Sequence, residues 1–94
     1  MWIRFKDSEG GTALTVLDSV DLIYIVTTEE GKSRILFTHI GEQNGTKIAI
    51  GISRKTANAA VDEIFKRLAA GDVAFDLIAW LGEYEEAGEC VKKT

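Results

Sequence analysis

The chain has 94 residues, 46% of them apolar and 28% charged, with a net charge of −4 and a pI near 4.9. That length suits one domain, taken here over residues 1–94, and the apolar content argues against a disordered chain. The acidic balance argues against nucleic acid as a partner, one cysteine excludes an internal disulfide, and no apolar run reaches the ~20 residues of a membrane span.

The first half reads as strands separated by turn chemistry. In residues 2–6, Ile3 and Phe5 alternate with Arg4 and Lys6, the period of a half-buried strand. The sequence DSEGG at 7–11 is a turn, 13–18 a second strand, and Asp18-Ser19 a tight connection. Residues 20–27, VDLIYIVT, form the strongest strand by β-branched and aromatic content. A hairpin loop at 28–32 leads to a returning strand at 33–40. Asn44-Gly45 favours a type I′ turn before a fifth strand at 46–52, in which Gly51 marks a bulge or a close approach.

From Ser53 the period changes. Ala57, Ala60, Val61, Ile64, Phe65 and Leu68 fall at steps of three and four and trace one stripe along a helix over 54–70. Ser53 or Thr56 can cap its start, and Gly71 suits the left-handed position after its end. Arg54 and Lys55 would oppose the helix dipole, which favours a start at Thr56; otherwise the pair could hold an anion or an acidic partner. Asp62 and Glu63 stand four residues before Lys66 and Arg67, the favourable order for exposed ion pairs. After Gly71 both periods fit. Val73, Phe75 and Leu77 suit a short strand returning to the sheet edge, while Val73, Leu77, Trp80 and Tyr84 suit a second helix. Residues 82–94 form a charged tail. The expected fold is α+β in two layers, a five- or six-stranded, mainly antiparallel meander packed by one long helix.

No constellation of residues points to catalysis. His39 has no second histidine or cysteine near it, which makes a poor metal site, and a nucleophilic pair with Cys90 lacks an orienting third group. Gly10-Gly11 is followed by neither Lys nor a helix onset, so no phosphate loop is present, and no cofactor is implied. Glu83, Glu85, Glu86 and Glu89 read as a solubilising patch or a docking surface for a basic partner. The charged N-terminus, MWIRFKDSEG, gives no signal peptide, and with the lone cysteine it leads to the expectation of a cytoplasmic protein.

The excess of apolar surface points instead to contact. Val20, Leu22, Tyr24 and Val26 share one face of their strand and Ile23 and Ile25 the other; Ile35 and Phe37 likewise oppose Leu36 and Ile40. One helix covers one side of a sheet, so the second face needs a cover from the 72–88 segment, a curled sheet, or another chain. The expectation is a homodimer, or a module for another protein partner, with Trp2, Ile23, Ile25 and Leu36 as contacts. An extended partner could also add a strand at a sheet edge. The alternative is a small-ligand domain with a pocket between the sheet and the C-terminal segment, lined by Trp80 and Tyr84.

The opening Met1-Trp2-Ile3-Arg4, the small meander and the stretch Leu68-Ala69-Ala70-Gly71-Asp72-Val73-Ala74-Phe75-Asp76-Leu77 resemble a group of short bacterial and phage-encoded proteins of unknown function. This chain departs from the group by its C-terminal tail and longer central strands. The resemblance implies the fold and a strand at 73–78, and no activity.

Overall fold

The computed structural model describes residues 1–39 and 45–84. The expected Asn44-Gly45 turn, the face of Ile40, Cys90, and Glu85, Glu86 and Glu89 all fall wholly or partly outside those residues. The fold is α+β and mostly antiparallel. Its strands are β1 (Trp2–Lys6), β2 (Thr12–Val16), β3 (Val20–Thr27), β4 (Lys32–His39), β5 (Thr46–Ser53) and β6 (Ala74–Asp76); α1 spans Arg54–Ala69. A further helical segment occupies residues 77–84. Both periods read after Gly71 are therefore present in succession: a short strand, then a helix.

The strands divide into two sheets of three, ordered β2-β1-β6 and β3-β4-β5, rather than one continuous meander. Between β2 and β3 the chain turns through a 3₁₀ helix at Leu17–Ser19, which ends the first sheet and starts the second. β6 then returns to lie parallel to β1, pairing Ile3 with Phe75 and Arg4 with Asp76. Alternation in the sequence sets which face a residue takes but not which strand lies beside it, so the division was not visible there.

Two hairpins use one turn design. In the first, Asp7 N–H donates to the Gly11 carbonyl at 2.8 Å and Gly10 N–H to the Asp7 carbonyl at 3.1 Å, with Gly10 at φ 87°. In the second, Thr28 N–H donates to the Lys32 carbonyl at 2.8 Å and Gly31 N–H to the Thr28 carbonyl at 3.0 Å, with Gly31 at φ 81°. Each is a tight turn closed by a glycine in the left-handed region. Asp7 reinforces the first, its Oδ1 accepting from the N–H groups of Glu9 and Gly11 at 2.9 Å.

The inner faces of the two sheets and α1 enclose one core. Ile3 and Phe5 meet Ile35, Phe37, Ile48 and Ile52, and Phe5 meets Phe37 edge to face with ring centroids 5.9 Å apart. Ala57 and Ala60, both fully buried, let α1 approach the sheet closely, and Ile64 fills the next turn. Two members of the expected stripe fall outside the core: Phe65 is 73% exposed and Leu68 44%. Phe65 lies roughly 80° round the helix from Ala57, and Leu68 sits in the last turn.

α1 begins at Arg54, not at Thr56, so Arg54 and Lys55 are its first two residues and both are exposed. The cap is Ser53, whose Oγ accepts from the Thr56 N–H at 3.1 Å and donates to Thr56 Oγ1 at 2.9 Å. That cap offsets the cost of two cations at the N-terminus. At the other end Gly71, at φ 78°, donates to the Leu68 carbonyl and Asp72 N–H to the Arg67 carbonyl, closing a Schellman motif. Arg67 joins this end to β6. Its guanidinium meets Glu63 at 2.9 Å and Asp72 at 3.6 Å and lies 4.5 Å from the centroid of the Phe75 ring.

Candidate functional site: the outer face and edge of the second sheet

Cross-strand partners share a face, and the register of β3 and β4 settles which residues point inward. Ile23 pairs with Phe37 and Ile25 with Ile35, so these four face the core; Tyr24 pairs with Leu36, so these face away. The parity expected from the sequence holds from Leu22 to Val26, but the bulge before Leu22 turns Val20 to the core side, and the four expected contact residues do not share one surface. Ile23 and Ile25 pack against the core and are half-buried, because β3 is the rim of its sheet. Leu36 is on the outer face and only 8% exposed. Trp2, half-exposed, belongs to the outer face of the other sheet, where Val16 and Ala74 flank it.

The outer face of β3-β4-β5 carries Leu22, Tyr24, Val26, Leu36 and Ile50, together with Thr38 beside Leu22, Lys47 beside Leu36, and Arg34 between Val26 and Ile50. Leu22 is 55% exposed and Ile50 50%. Ile50 reaches this face because β5 is bulged twice. Its pairing with β4 skips Ile48, then skips Gly51, so Ile48 and Ala49 turn in while Ile50 turns out. Gly51 takes φ 74° at the second bulge, as its mid-strand position suggested. Tyr24 leans inward over this face rather than out over the edge: a Cβ at Gly45 would stand 2.5 Å from the Tyr24 hydroxyl and 3.2 Å from Leu36. Tyr24 thus lies over Leu36, which is buried, and a side chain at position 45 would have to displace the Tyr24 hydroxyl. α1 packs on the opposite side of the sheet, against the inner residues.

β3 is also an open edge. It pairs with β4 on one side and, among the described residues, with no strand on the other. From Leu22 to Thr27 its register with β4 is regular, without charge, proline or bulge, the one irregularity lying between Val20 and Leu22. The other outer strands are protected by shortness or by shape: β2 has five residues, β6 has three, and β5 is doubly bulged.

A second concavity lies between the 7–10 turn, β5 and the 77–84 helix. This cleft of about 510 Å³ has an apolar floor from Ile48, Ala49, Ile52, Leu77 and Leu81 and a rim of Lys6, Asp7 and Ser8. It sits between sheet and C-terminal segment as the alternative reading expected, but Trp80 and Tyr84 do not line it. They stack on each other at 5.0 Å, and Trp80 meets the edge of Phe75 at 6.5 Å. On the 77–84 helix, Leu77, Ile78 and Leu81 share one side, and Trp80 and Tyr84 share the next.

Of the expected chemical pair, Cys90 lies outside the described residues and His39 is engaged in the fold. His39 Nδ1 lies 3.1 Å from Ser19 Oγ and 3.0 Å from the Ser19 carbonyl, and its ring meets Phe37 edge to face. Since Ser19 Oγ donates to the Val16 carbonyl, the Nδ1 hydrogen is directed at Ser19, tying the 3₁₀ turn to the end of β4. Among the described residues no group of three or more His, Cys, Asp or Glu could hold a metal, and no helix is long and apolar enough to cross a membrane.

One perturbed group was not singled out in the sequence. Asp76 Oδ1 accepts from the Ala79 N–H at 3.1 Å, capping the 77–84 helix, and Oδ2 accepts from Arg4 Nη1 at 2.7 Å. The Ala79 hydrogen bond holds its carboxyl below the ordinary 3.8; desolvation opposes it, and the Arg4 guanidinium and the Ile78 N–H add to the lowering. Its role is structural, fastening β6 and the helix to β1. No family model matches the chain, and comparison with curated proteins and with solved structures finds no similar protein.

Proposed function

We propose that this protein is a non-catalytic interaction module that acts through the outer face and open edge of β3-β4-β5, most simply as a homodimer. The observation that carries this reading is the placement of Leu22, Val26 and Ile50 on the sheet face opposite α1, each more than a third exposed, beside an unpaired strand. Apolar side chains grouped on one face mark contact surfaces in soluble proteins, and an unprotected edge adds main-chain hydrogen bonds to that contact. Leu22→Asp and Ile50→Asp test it. Both positions are exposed, so the thermal melting curve should keep its shape, while self-association followed by sedimentation velocity should weaken. Leu14→Asp, an equally exposed substitution on the other sheet, should leave association unchanged. Equal association in all three variants would contradict the reading.

A small-ligand reading rests on the cleft beside the 77–84 helix, whose size is in the range of small-molecule sites. A ligand taken up there would raise the melting temperature by mass action, and Ile52→Trp, which fills the floor, would abolish that shift.

A further inference from the structure

We infer that two copies of the chain join antiparallel through β3, about a two-fold axis at Tyr24, to form one continuous six-stranded sheet; this rests on the interaction reading above and specifies its partner and register. The argument begins with backbone groups. In a paired strand alternate N–H and C=O groups point away from the partner, so from Leu22 to Thr27 one side of β3 presents donors and acceptors that no strand among the described residues matches. Tyr24, the one large side chain of the strand that could shield them, is drawn back over Leu36 towards Gly45.

The sequence of β3 is complementary to itself in one register. Centred on Tyr24, Leu22 faces the partner's Val26 on the outer surface, Ile23 faces the partner's Ile25 on the core side, and Asp21 faces the partner's Thr27. Apolar residues then oppose apolar residues on both faces, and the one charge of the strand opposes a hydroxyl. Neighbouring registers that keep the faces aligned are worse. Centring on Ile23 sets Asp21 against Ile25, and centring on Ile25 sets Asp21 against Glu29, a like charge. The register at Tyr24 also accounts for the half-burial of Ile23 and Ile25. Both point into the core side yet lie at its rim, and the partner's strand would complete their cover. The contact consumes the same edge on each copy, so the assembly closes at two.

Cysteine cross-linking reads the register. In a Cys90→Ser background, the double variant Leu22→Cys/Val26→Cys places each cysteine opposite its counterpart in the partner. Within one chain the two positions are roughly 13 Å apart along an extended strand, too far to bridge. Both side chains are exposed, so folding is preserved. Under mild oxidation the double variant should shift from monomer to dimer mass on a non-reducing gel, and neither single variant should. Cross-linking of a single variant, or a dimer by sedimentation that the double variant fails to cross-link, would overturn the register while leaving the interaction reading intact. A monomer by sedimentation at all concentrations would overturn both.

Discussion

Asp76 shows how much one carboxylate can organise. It lies on β6 beside Arg4 of β1, caps the 77–84 helix, and so links the return strand, the N-terminal strand and the last helix described. Asparagine caps a helix about as well as aspartate but cannot pair with Arg4 in the same way, whereas alanine does neither. Asp76→Asn should therefore cost only the exposed ion pair, about 0.2–1 kcal/mol, and Asp76→Ala about 1 kcal/mol more, by urea denaturation at pH 7. Because folding lowers the carboxyl's pKa, its contribution is complete above the ordinary 3.8 and is lost as pH falls through the lower folded value. The stability gap between the native chain and Asp76→Asn should close below that pH; a gap independent of pH would show that the charge contributes nothing. At this scale the sequence was readable where the signal is local. The Ser53 cap and the Gly71 stop are written in adjacent residues, while the Arg4–Asp76 pair joins positions 72 apart and leaves no local trace.

Among the elements, β3 and β5 make the telling contrast, since they are the two outer strands of one sheet. β5 is bent by two bulges, and Gly51 supplies the left-handed conformation that the second requires. A Cβ there would meet nothing within 4 Å, so Gly51→Ala isolates backbone strain from crowding. It should cost about 1–2 kcal/mol in chemical denaturation, and a neutral result would mean that the bulge relocates. β3 has no such device from Leu22 to Thr27. The strands and α1 were legible from their periods of two and 3.6. The partition into two sheets was not, because β6 finds β1 through burial of Phe75 and Leu77 in a core assembled from the whole chain. Phe65 was misplaced for a related reason: apolar letters at helical spacing fix a stripe's direction but not how far round the helix the sheet reaches. The two faces of β3 were read correctly by parity from Leu22 to Val26, while the bulge before Leu22, which parity does not show, turned Val20 to the core side. Which of them turns inward depends on pairing with β4, and that put Ile23 and Ile25 on the core side.

On the scale of the molecule, one core is shared by two small sheets and a helix, and part of the apolar surface left over, Leu22, Val26 and Ile50, lies on one face beside an open edge, while Trp2, Leu14, Phe65, Leu68 and Val73 are exposed elsewhere. Leu22, Val26 and Ile50 neither build the core nor carry charge, yet the chain keeps them exposed together. Self-association is the account that gives both the face and the edge a use. The most direct measurement is the absolute mass of the unaltered chain by light scattering behind a sizing column, over a hundredfold range of concentration. The account predicts twice the chain's 10.3 kDa, falling towards the single-chain mass on dilution if association is weak. A mass of one chain at every concentration would contradict it.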